Sequence, residues 1–257
     1  RNVAMGTHAL GGNTTANDNT AFGNNALTST TTGASNTAVG RASLLVSTTG
    51  AENTAVGFYS LAANTTASYN VAVGANALKS NTTGDSNAAI GYNSLYYNTT
   101  GANNIAVGRN ALHSNTTATG NTSVGRSSLQ NNTTGGSNVA LGQYTLFTNT
   151  TGAGLVGIGK DALYANTTGN HNTAVGVDAL EANTTASDNT AVGQNALKLN
   201  TTGSTNTAIG SHSLNSNVTG NSNTALGFQA LEDNTADENT AVGKAALMNN
   251  TSGTGNT

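Results

Sequence analysis

Apolar and small residues recur along the chain at a fixed interval of 17 residues. Taking Asn2 as position 1, the repeat occurs fifteen times with the consensus N-T-A-V-G-x-x-A-L-x-x-N-T-T-G-x-x, and the repeat that begins at Asn223 is one residue short. Position 5 is Gly and position 9 is Leu in every repeat, position 4 is always apolar, and positions 3 and 8 are small. Positions 6, 7, 10, 11, 16 and 17 vary freely. Self-similarity at this short period predicts a stack of equal elements.

The pattern within one repeat favours extended chain and turns. Seventeen residues are too few for a helix pair, and Asn, Thr and Gly are poor helix formers. The run N-T-A-V alternates, so positions 2 and 4 face one way and positions 1 and 3 the other. Gly at position 5 predicts a bend with positive φ or a close backbone approach. A second short extended piece is expected at positions 8 and 9, and a second corner at N-T-T-G. The predicted fold class is all-β, a parallel β-solenoid or β-roll with one repeat per coil.

Stacked coils bring identical residues into columns about 4.8 Å apart. The apolar residues of positions 4 and 9 are expected to form two apolar ridges, and the Asn residues of position 12 a ladder of bonded amides. The small residues of positions 3 and 8 are expected on the opposite side, where columns of Ala would let neighbouring chains approach. The expected structural ladder comprises, among others, Asn64, Asn81, Asn98, Asn115, Leu61, Leu78, Leu95, Leu112, Gly57, Gly74, Gly91 and Gly108.

The thin predicted coil points to self-association. Two large apolar side chains per coil stabilise much less than the ordering of 17 residues costs. We therefore expect lateral association of the chains, as a homotrimer or a filament. Residues 1–257 are expected to form a single solenoid rod. Because the chain begins and ends within the pattern, it is expected to be a segment of a longer repetitive protein.

Composition excludes several classes of site and partner. The chain of 257 residues contains 41 Asn, 45 Thr and 32 Gly, but no Cys, Pro or Trp. It therefore has no disulfide framework and no thiolate metal site. Eight basic residues against eleven acidic ones give no basic footprint for nucleic acid. No apolar stretch approaches the length of a membrane span.

The sequence shows no arrangement typical of an enzyme, a cofactor site or a metal site. The four His occupy well-separated repeats, and no triad, carboxylate pair in a cleft or phosphate-binding turn is visible. Asp161 and Asp178 are expected to stack at position 7, where a solvated surface is favoured over a bound cation. Glu181 and Lys198 are expected to stack at position 10 and attract weakly. We expect no enzymatic activity.

Three surface features leave alternatives open. Asn-x-Thr/Ser sequons recur at position 12 and make Asn13, Asn64, Asn81, Asn217 and Asn250 possible glycan acceptors, although a structural ladder is favoured. Aromatic residues at variable positions could hold a surface glycan or a receptor, and Phe147 and Tyr164 should stack. The Asn column of position 12 and the Thr column of position 14 could form a flat ice-binding face.

One family resembles this pattern. Asn53-Thr54-Ala55-Val56-Gly57, followed by Ser60-Leu61, resembles the head repeats of trimeric autotransporter adhesins, which use an N-S-V-A-I-G-x-x-A motif in a shorter unit. The repeat is also similar to longer repeats of tail-fibre-like proteins. The resemblance implies a left-handed parallel β-roll assembled as a trimer on an extracellular, cell-surface or virion fibre. The predicted function is a structural, non-catalytic fibre segment, with ice binding and glycan or receptor binding as alternatives.

Overall fold

The computed structural model describes residues 1–257, and it contains strands and turns without helix. The chain divides into two compact halves, an N-terminal half of Arg1–Ser127 and a C-terminal half of Ser128–Thr257. Each half is a parallel β-solenoid with one three-residue strand per repeat. The predicted fold class is therefore confirmed. The prediction of a single rod stays a prediction.

The strands of the N-terminal half occupy positions 2 to 4 of successive repeats. Each pairs in parallel with the next strand in register, so that Thr54 lies beside Val71 and Val56 beside Val73. The register therefore advances by one whole repeat at every step. The strands are β1 (Val3–Met5), β2 (Thr20–Phe22), β3 (Thr37–Val39), β4 (Thr54–Val56), β5 (Val71–Val73), β6 (Ala88–Ile90), β7 (Ile105–Val107) and β8 (Thr122–Val124).

The C-terminal half repeats this arrangement and absorbs one deletion. Thr224–Leu226 and Thr240–Val242 stay in register although they are 16 residues apart. In the preceding repeat Asn217 Nδ2 donates to the Gly220 carbonyl three residues on, whereas Asn234 Nδ2 donates to the Ala236 carbonyl only two residues on. The missing residue is therefore the Thr of position 14, at an outward corner. The strands are β9 (Val139–Leu141), β10 (Val156–Ile158), β11 (Thr173–Val175), β12 (Thr190–Val192), β13 (Thr207–Ile209), β14 (Thr224–Leu226) and β15 (Thr240–Val242).

The interior of each coil is built from Asn, Ala and Leu. In the fourth repeat Asn53, Ala55, Ser60, Leu61 and Asn64 are buried completely. The alternation along the strand is as predicted, but the assignment of its two sides was wrong. The small residues of positions 3 and 8 face inward, and the large apolar residues of position 4 face outward. Because the Ala residues of positions 3 and 8 are buried inside the coil, they cannot make the expected contacts between chains.

Positions 8 and 9 form a turn, and the prediction of a second extended piece there was wrong. Every Leu of position 9 has a positive φ, between 47° in Leu129 and 54° in Leu10. A left-handed conformation costs a non-glycine residue about 1–2 kcal/mol, whereas complete burial of a Leu side chain stabilises by about 2–3 kcal/mol. The turn therefore directs the one large side chain of each coil into the interior.

Gly at position 5 ends each strand and serves the two purposes expected from the sequence. Gly108 has a φ of 134°, a region that favours glycine. A Cβ added to Gly108 would lie 2.5 Å from the carbonyl oxygen of Gly125 in the next coil. The invariant glycine therefore allows both the bend and the close stacking of coils.

Candidate binding surface

The Asn residues of position 12 form a buried ladder of amides. Nδ2 of Asn98 donates to Oδ1 of Asn81 at 2.8 Å and to the Gly101 carbonyl of its own coil at 2.9 Å. Nδ2 of Asn115 in turn donates to Oδ1 of Asn98 at 2.8 Å. In the C-terminal half the same bonds join successive Asn residues from Asn132 to Asn217. These hydrogen bonds therefore compensate the buried amides for the water contacts that they lose on folding.

A second Asn ladder, which our sequence reasoning missed, runs along position 1. Oδ1 of Asn19 accepts the backbone N–H of Asn36 at 2.8 Å, and Nδ2 of Asn36 donates to the carbonyl of Gly50, at position 15 of the same repeat, at 2.9 Å. Fourteen of the fifteen repeats have Asn at this position, and the exception is the buried Leu155. Position 1 is thus even more constant than position 12, which is Asn in thirteen repeats, and this constancy was the signal that could have identified the ladder.

Burial changes the interpretation of the sequons. Asn64, Asn81 and Asn217 are fully buried with Nδ2 hydrogen-bonded, so the folded chain cannot present them to a glycosylating enzyme. Asn13 and Asn250 are partly buried, and their Nδ2 atoms donate to the carbonyls of Ala16 and Gly253. For Asn64, Asn81 and Asn217 burial therefore favours the structural ladder, the alternative preferred from the sequence, over glycan attachment to the folded protein.

The same burial removes the ice-binding face expected from the Asn and Thr columns. The Asn residues of position 12 point inward, so no flat face combines them with the Thr residues of position 14. The Thr residues of position 13 are engaged as well, since the hydroxyl of Thr82 donates to the carbonyl of Thr99 at 3.0 Å. A face built from these columns is therefore excluded.

The strand face, formed by the outward side chains of positions 2 and 4, is uncharged throughout. Position 2 carries Thr, Val, Ile or Ala, and position 4 carries Val, Ile, Leu, Met or Phe. Ile90 and Ile105 are 43% and 44% exposed. Apart from Arg1, every charged residue of the chain lies at the six variable positions. Each half thus presents a regular array of methyl and hydroxyl groups without an ionic group.

Charge is divided unequally between the halves. The N-terminal half contains five basic and three acidic residues, and the C-terminal half three basic and eight acidic ones. In the N-terminal half the carboxylates of Asp18, Glu52 and Asp85 occupy positions 16 and 17. Three basic side chains of this half lie over aromatic rings. The contacts of this kind place Arg41 over Phe58, Lys79 over Tyr59 and Tyr96, and Arg109 over Tyr92.

Lys79 occupies the centre of the largest aromatic cluster in the N-terminal half. Its Nζ lies 5.3 Å from the ring centre of Tyr59 and 5.2 Å from that of Tyr96, and it donates to the Tyr96 hydroxyl at 3.2 Å. His113 stacks on Tyr96 with ring centres 5.4 Å apart, and Tyr97 meets both rings edge-on. Burial lowers the pKa of His113 below its ordinary value of 6.5, so its imidazole is neutral at pH 7.

A cavity of about 360 Å³ opens beside Lys79. It exists because the fourth repeat has Ala62 and Ala63 at positions 10 and 11, between bulkier residues of the adjacent coils. Lys79 and Tyr59 are among the residues that line it. The other lining residues are Leu45, Val46, Ala62, Ala63 and Ser80. This surface, which we call the Lys79 groove, is lined mainly by apolar side chains and carries one cation, Lys79.

In the C-terminal half Lys160 and Lys198 pair with carboxylates, whereas Lys244 lies over the ring of Phe228. Nζ of Lys198 lies 2.9 Å from Asp178 and 3.0 Å from Glu181, as expected for Glu181 and Lys198. The hydrogen bond to Asp178, followed by that to Glu181, raises the pKa of Lys198. A hydrogen bond to Asp161, at 2.7 Å, likewise raises the pKa of Lys160. Each carboxylate of the Asp161–Asp178 stack therefore has a lysine partner, Lys160 for Asp161 and Lys198 for Asp178.

The other expected feature of the C-terminal half is aromatic. Phe147 and Tyr164 stack with ring centres 5.3 Å apart and planes 8° apart, which confirms that prediction. Their cluster includes Tyr144, which meets Phe147 edge-on with ring centres 5.5 Å apart. Aromatic contacts therefore join two adjacent coils at this point of the surface.

The structure brings together no group of three or more His, Asp or Glu residues that could hold a metal ion. It also contains no helix with the length and apolar character that a membrane crossing requires. Comparisons with protein families, curated proteins and solved structures find no match to this chain.

Proposed function

We propose that this protein is a structural, non-catalytic segment of an extracellular filament, such as a surface adhesin or a tail fibre, whose copies associate laterally through the strand face. The observation that carries the proposal is the absence of charge from positions 2 and 4 in all fifteen repeats. The six variable positions accept acidic, basic and aromatic residues. Charge is also absent from the exposed Thr residues of position 14, but only the strand face combines this restriction with outward Val, Ile and Leu side chains.

A second copy is the partner that the strand face fits best. Its columns have one spacing, about 4.8 Å between strands, so two copies present the same lattice and can interdigitate over many coils. Val, Ile and Leu side chains that remain 37–45% exposed in Val39, Ile90 and Leu226 would gain burial on association. We propose a homotrimer, the number that the resemblance to adhesin heads implies, with the three faces packed around one axis.

Sedimentation velocity tests this assignment. The wild-type chain is expected to sediment as a trimer or larger assembly at micromolar concentration. The double variant Ile90→Lys and Val107→Lys places two charges on the face and should sediment as a monomer with unchanged circular dichroism. The matched control Thr83→Lys and Thr100→Lys alters exposed corners of position 14 and should remain assembled. A monomeric wild type, or equal assembly of both double variants, would refute the proposal.

A second candidate function, ice binding, is favoured by a specific observation on the same face. Outward Thr and Val side chains form a two-dimensional array, about 4.8 Å between strands and about 6.6 Å along each strand. Such an array of hydroxyl and methyl groups can order a layer of water, as the columns of positions 12 and 14 cannot. A thermal hysteresis assay distinguishes the two functions. A freezing-point gap that the Ile90→Lys and Val107→Lys variant abolishes would favour ice binding, and no gap would exclude it.

A further inference from the structure

We propose that the Lys79 groove is a binding site for a carboxylated saccharide, with the sugar ring packed against the apolar lining and Tyr59, and the carboxylate bound by Lys79. This site lies on a different side of the coil from the strand face. Its existence is independent of the lateral association proposed above.

The shape of the groove suits a small ligand with an apolar face. Its volume of about 360 Å³ lies within the range of about 300–1,000 Å³ typical of ligand sites, which combine an apolar lining with few polar groups. Leu45, Val46, Ala62 and Ala63 supply the lining. A pyranose ring has a face of C–H groups that packs on apolar and aromatic surface, and a rim of polar substituents that remains in water.

The charge of the groove selects an acid. Lys79 forms no salt bridge, and the three carboxylates of the N-terminal half lie at positions 16 and 17. Its ammonium has three N–H donors and gives one to the Tyr96 hydroxyl at 3.2 Å. The remaining donors can bind a carboxylate through charge-assisted hydrogen bonds. Since His113 is neutral at pH 7, Lys79 supplies the positive charge of this cluster.

The backbone around the groove disfavours a peptide. Peptides that bind by strand addition need free N–H and C=O groups at a sheet edge. Here the N–H of Ala63 donates to the Lys79 carbonyl at 2.9 Å, and the N–H of Ser80 to the Tyr96 carbonyl at 3.1 Å. The groove therefore offers recognition through side chains, as a saccharide requires.

Isothermal titration calorimetry on the full chain tests the site with two acidic probes, digalacturonate and sialyllactose, and their neutral counterparts, digalactose and lactose. We expect at least one acidic probe to bind and both neutral ones to bind about tenfold more weakly or not at all, because they lack the charge-assisted bond. Lys79→Gln should cause a similar loss for the acidic probe. Gln130 already occupies the same position in another repeat, so the variant is expected to fold.

Two further variants separate the groove from a general charge effect. Ala63→Leu fills the groove without changing charge and should abolish binding, since Leu199 occupies position 11 elsewhere with 44% exposure. Lys198→Gln is the matched control, because that lysine has the same position but is paired with Asp178 and Glu181. It should bind like the wild type.

Several results would overturn the proposal: no binding of either acidic probe, equal binding of neutral probes, or wild-type affinity in Lys79→Gln. Equal affinity for tetraglutamate would show a general anion site and would also overturn it. Sedimentation of the same samples keeps the two proposals apart. A trimer that binds no saccharide refutes only the groove, and a monomer that binds refutes only the assembly.

Discussion

Replacing Asn98 by Ala should strongly destabilise the N-terminal half. The side chain takes part in three buried hydrogen bonds, which join it to Asn81, Gly101 and Asn115. The Gly101 carbonyl keeps a second donor, the Nδ2 of Asn87. Oδ1 of Asn81 and one N–H of Asn115 would be left buried without those partners. Each such group costs about 1–3 kcal/mol, so we expect a loss of about 2–6 kcal/mol.

Urea unfolding followed by circular dichroism measures this loss, and hydrogen exchange of the backbone amides between Asn81 and Asn115 locates it. Exchange is needed because long repeat arrays can unfold in parts. The matched control is Thr100→Ala, a nearby exposed residue at position 14, which should change stability by less than about 0.5 kcal/mol. If Asn98→Ala and Thr100→Ala unfold at the same urea concentration, the ladder does not stabilise the coil as argued.

Three further predictions concern departures from the repeat and a buried imidazole. Ser47 replaces Asn at position 12, and its buried hydroxyl has no hydrogen-bond partner. The variant Ser47→Asn should therefore join the ladder at Asn64 and raise the free energy of unfolding in urea by about 1–2 kcal/mol. A lower free energy of unfolding would contradict this. A Cβ added at Gly157 would lie 2.6 Å from the Thr145 methyl, so Gly157→Ala should destabilise by about 1–3 kcal/mol and Thr145→Ala should largely rescue it in the same assay. Additive losses would refute that coupling. Because the folded-state pKa of His113 is lowered from 6.5, its contribution is present above pH 6.5 and is lost as pH falls through the folded pKa. Urea midpoints of the wild type should therefore fall relative to His113→Gln between pH 7.5 and 5, and parallel profiles would count against it.

The repeat made much of the fold predictable. Fifteen repeats with Gly at position 5, preceded by an alternating run of the N-T-A-V type, were sufficient to predict one coil per repeat, parallel stacking, and a bend with positive φ or a close backbone approach. These features depend on local backbone preferences and on a fixed period, both of which a sequence displays directly.

The two sides of the strand were not predictable by hydrophobicity. Alternation shows that Ala106 and Val107 face opposite ways, but it does not show which of them is buried. Hydrophobicity alone predicts that the larger residue, Val107, is the buried one, as is usual in globular cores. The coil is too narrow for that choice, because its cross-section is already occupied by Leu112 and by two Asn ladders, whose amides bond within each column and to backbone carbonyls. Long-range hydrogen bonding thus reversed the ordinary preference.

The candidate surfaces were predictable only in part. Stacking of Phe147 on Tyr164 follows from equal positions in adjacent repeats. The Lys79 groove depends on Ala62 and Ala63 lying between bulkier neighbours, which is a property of three coils together. Its detection therefore requires the register of the coils as well as the residues within each repeat.

Cysteine accessibility tests the inside-outside arrangement of the coil most directly, because the chain has no native Cys. Ala106→Cys and Val107→Cys place a thiol at adjacent residues of β7, and Ala89→Cys with Ile90→Cys repeats the pair one coil earlier. We predict that the thiols at 107 and 90 react with a maleimide at nearly the rate of an unfolded control, and that those at 106 and 89 react only as the fold opens. Equal rates within a pair, or faster reaction at 106 and 89, would contradict the account.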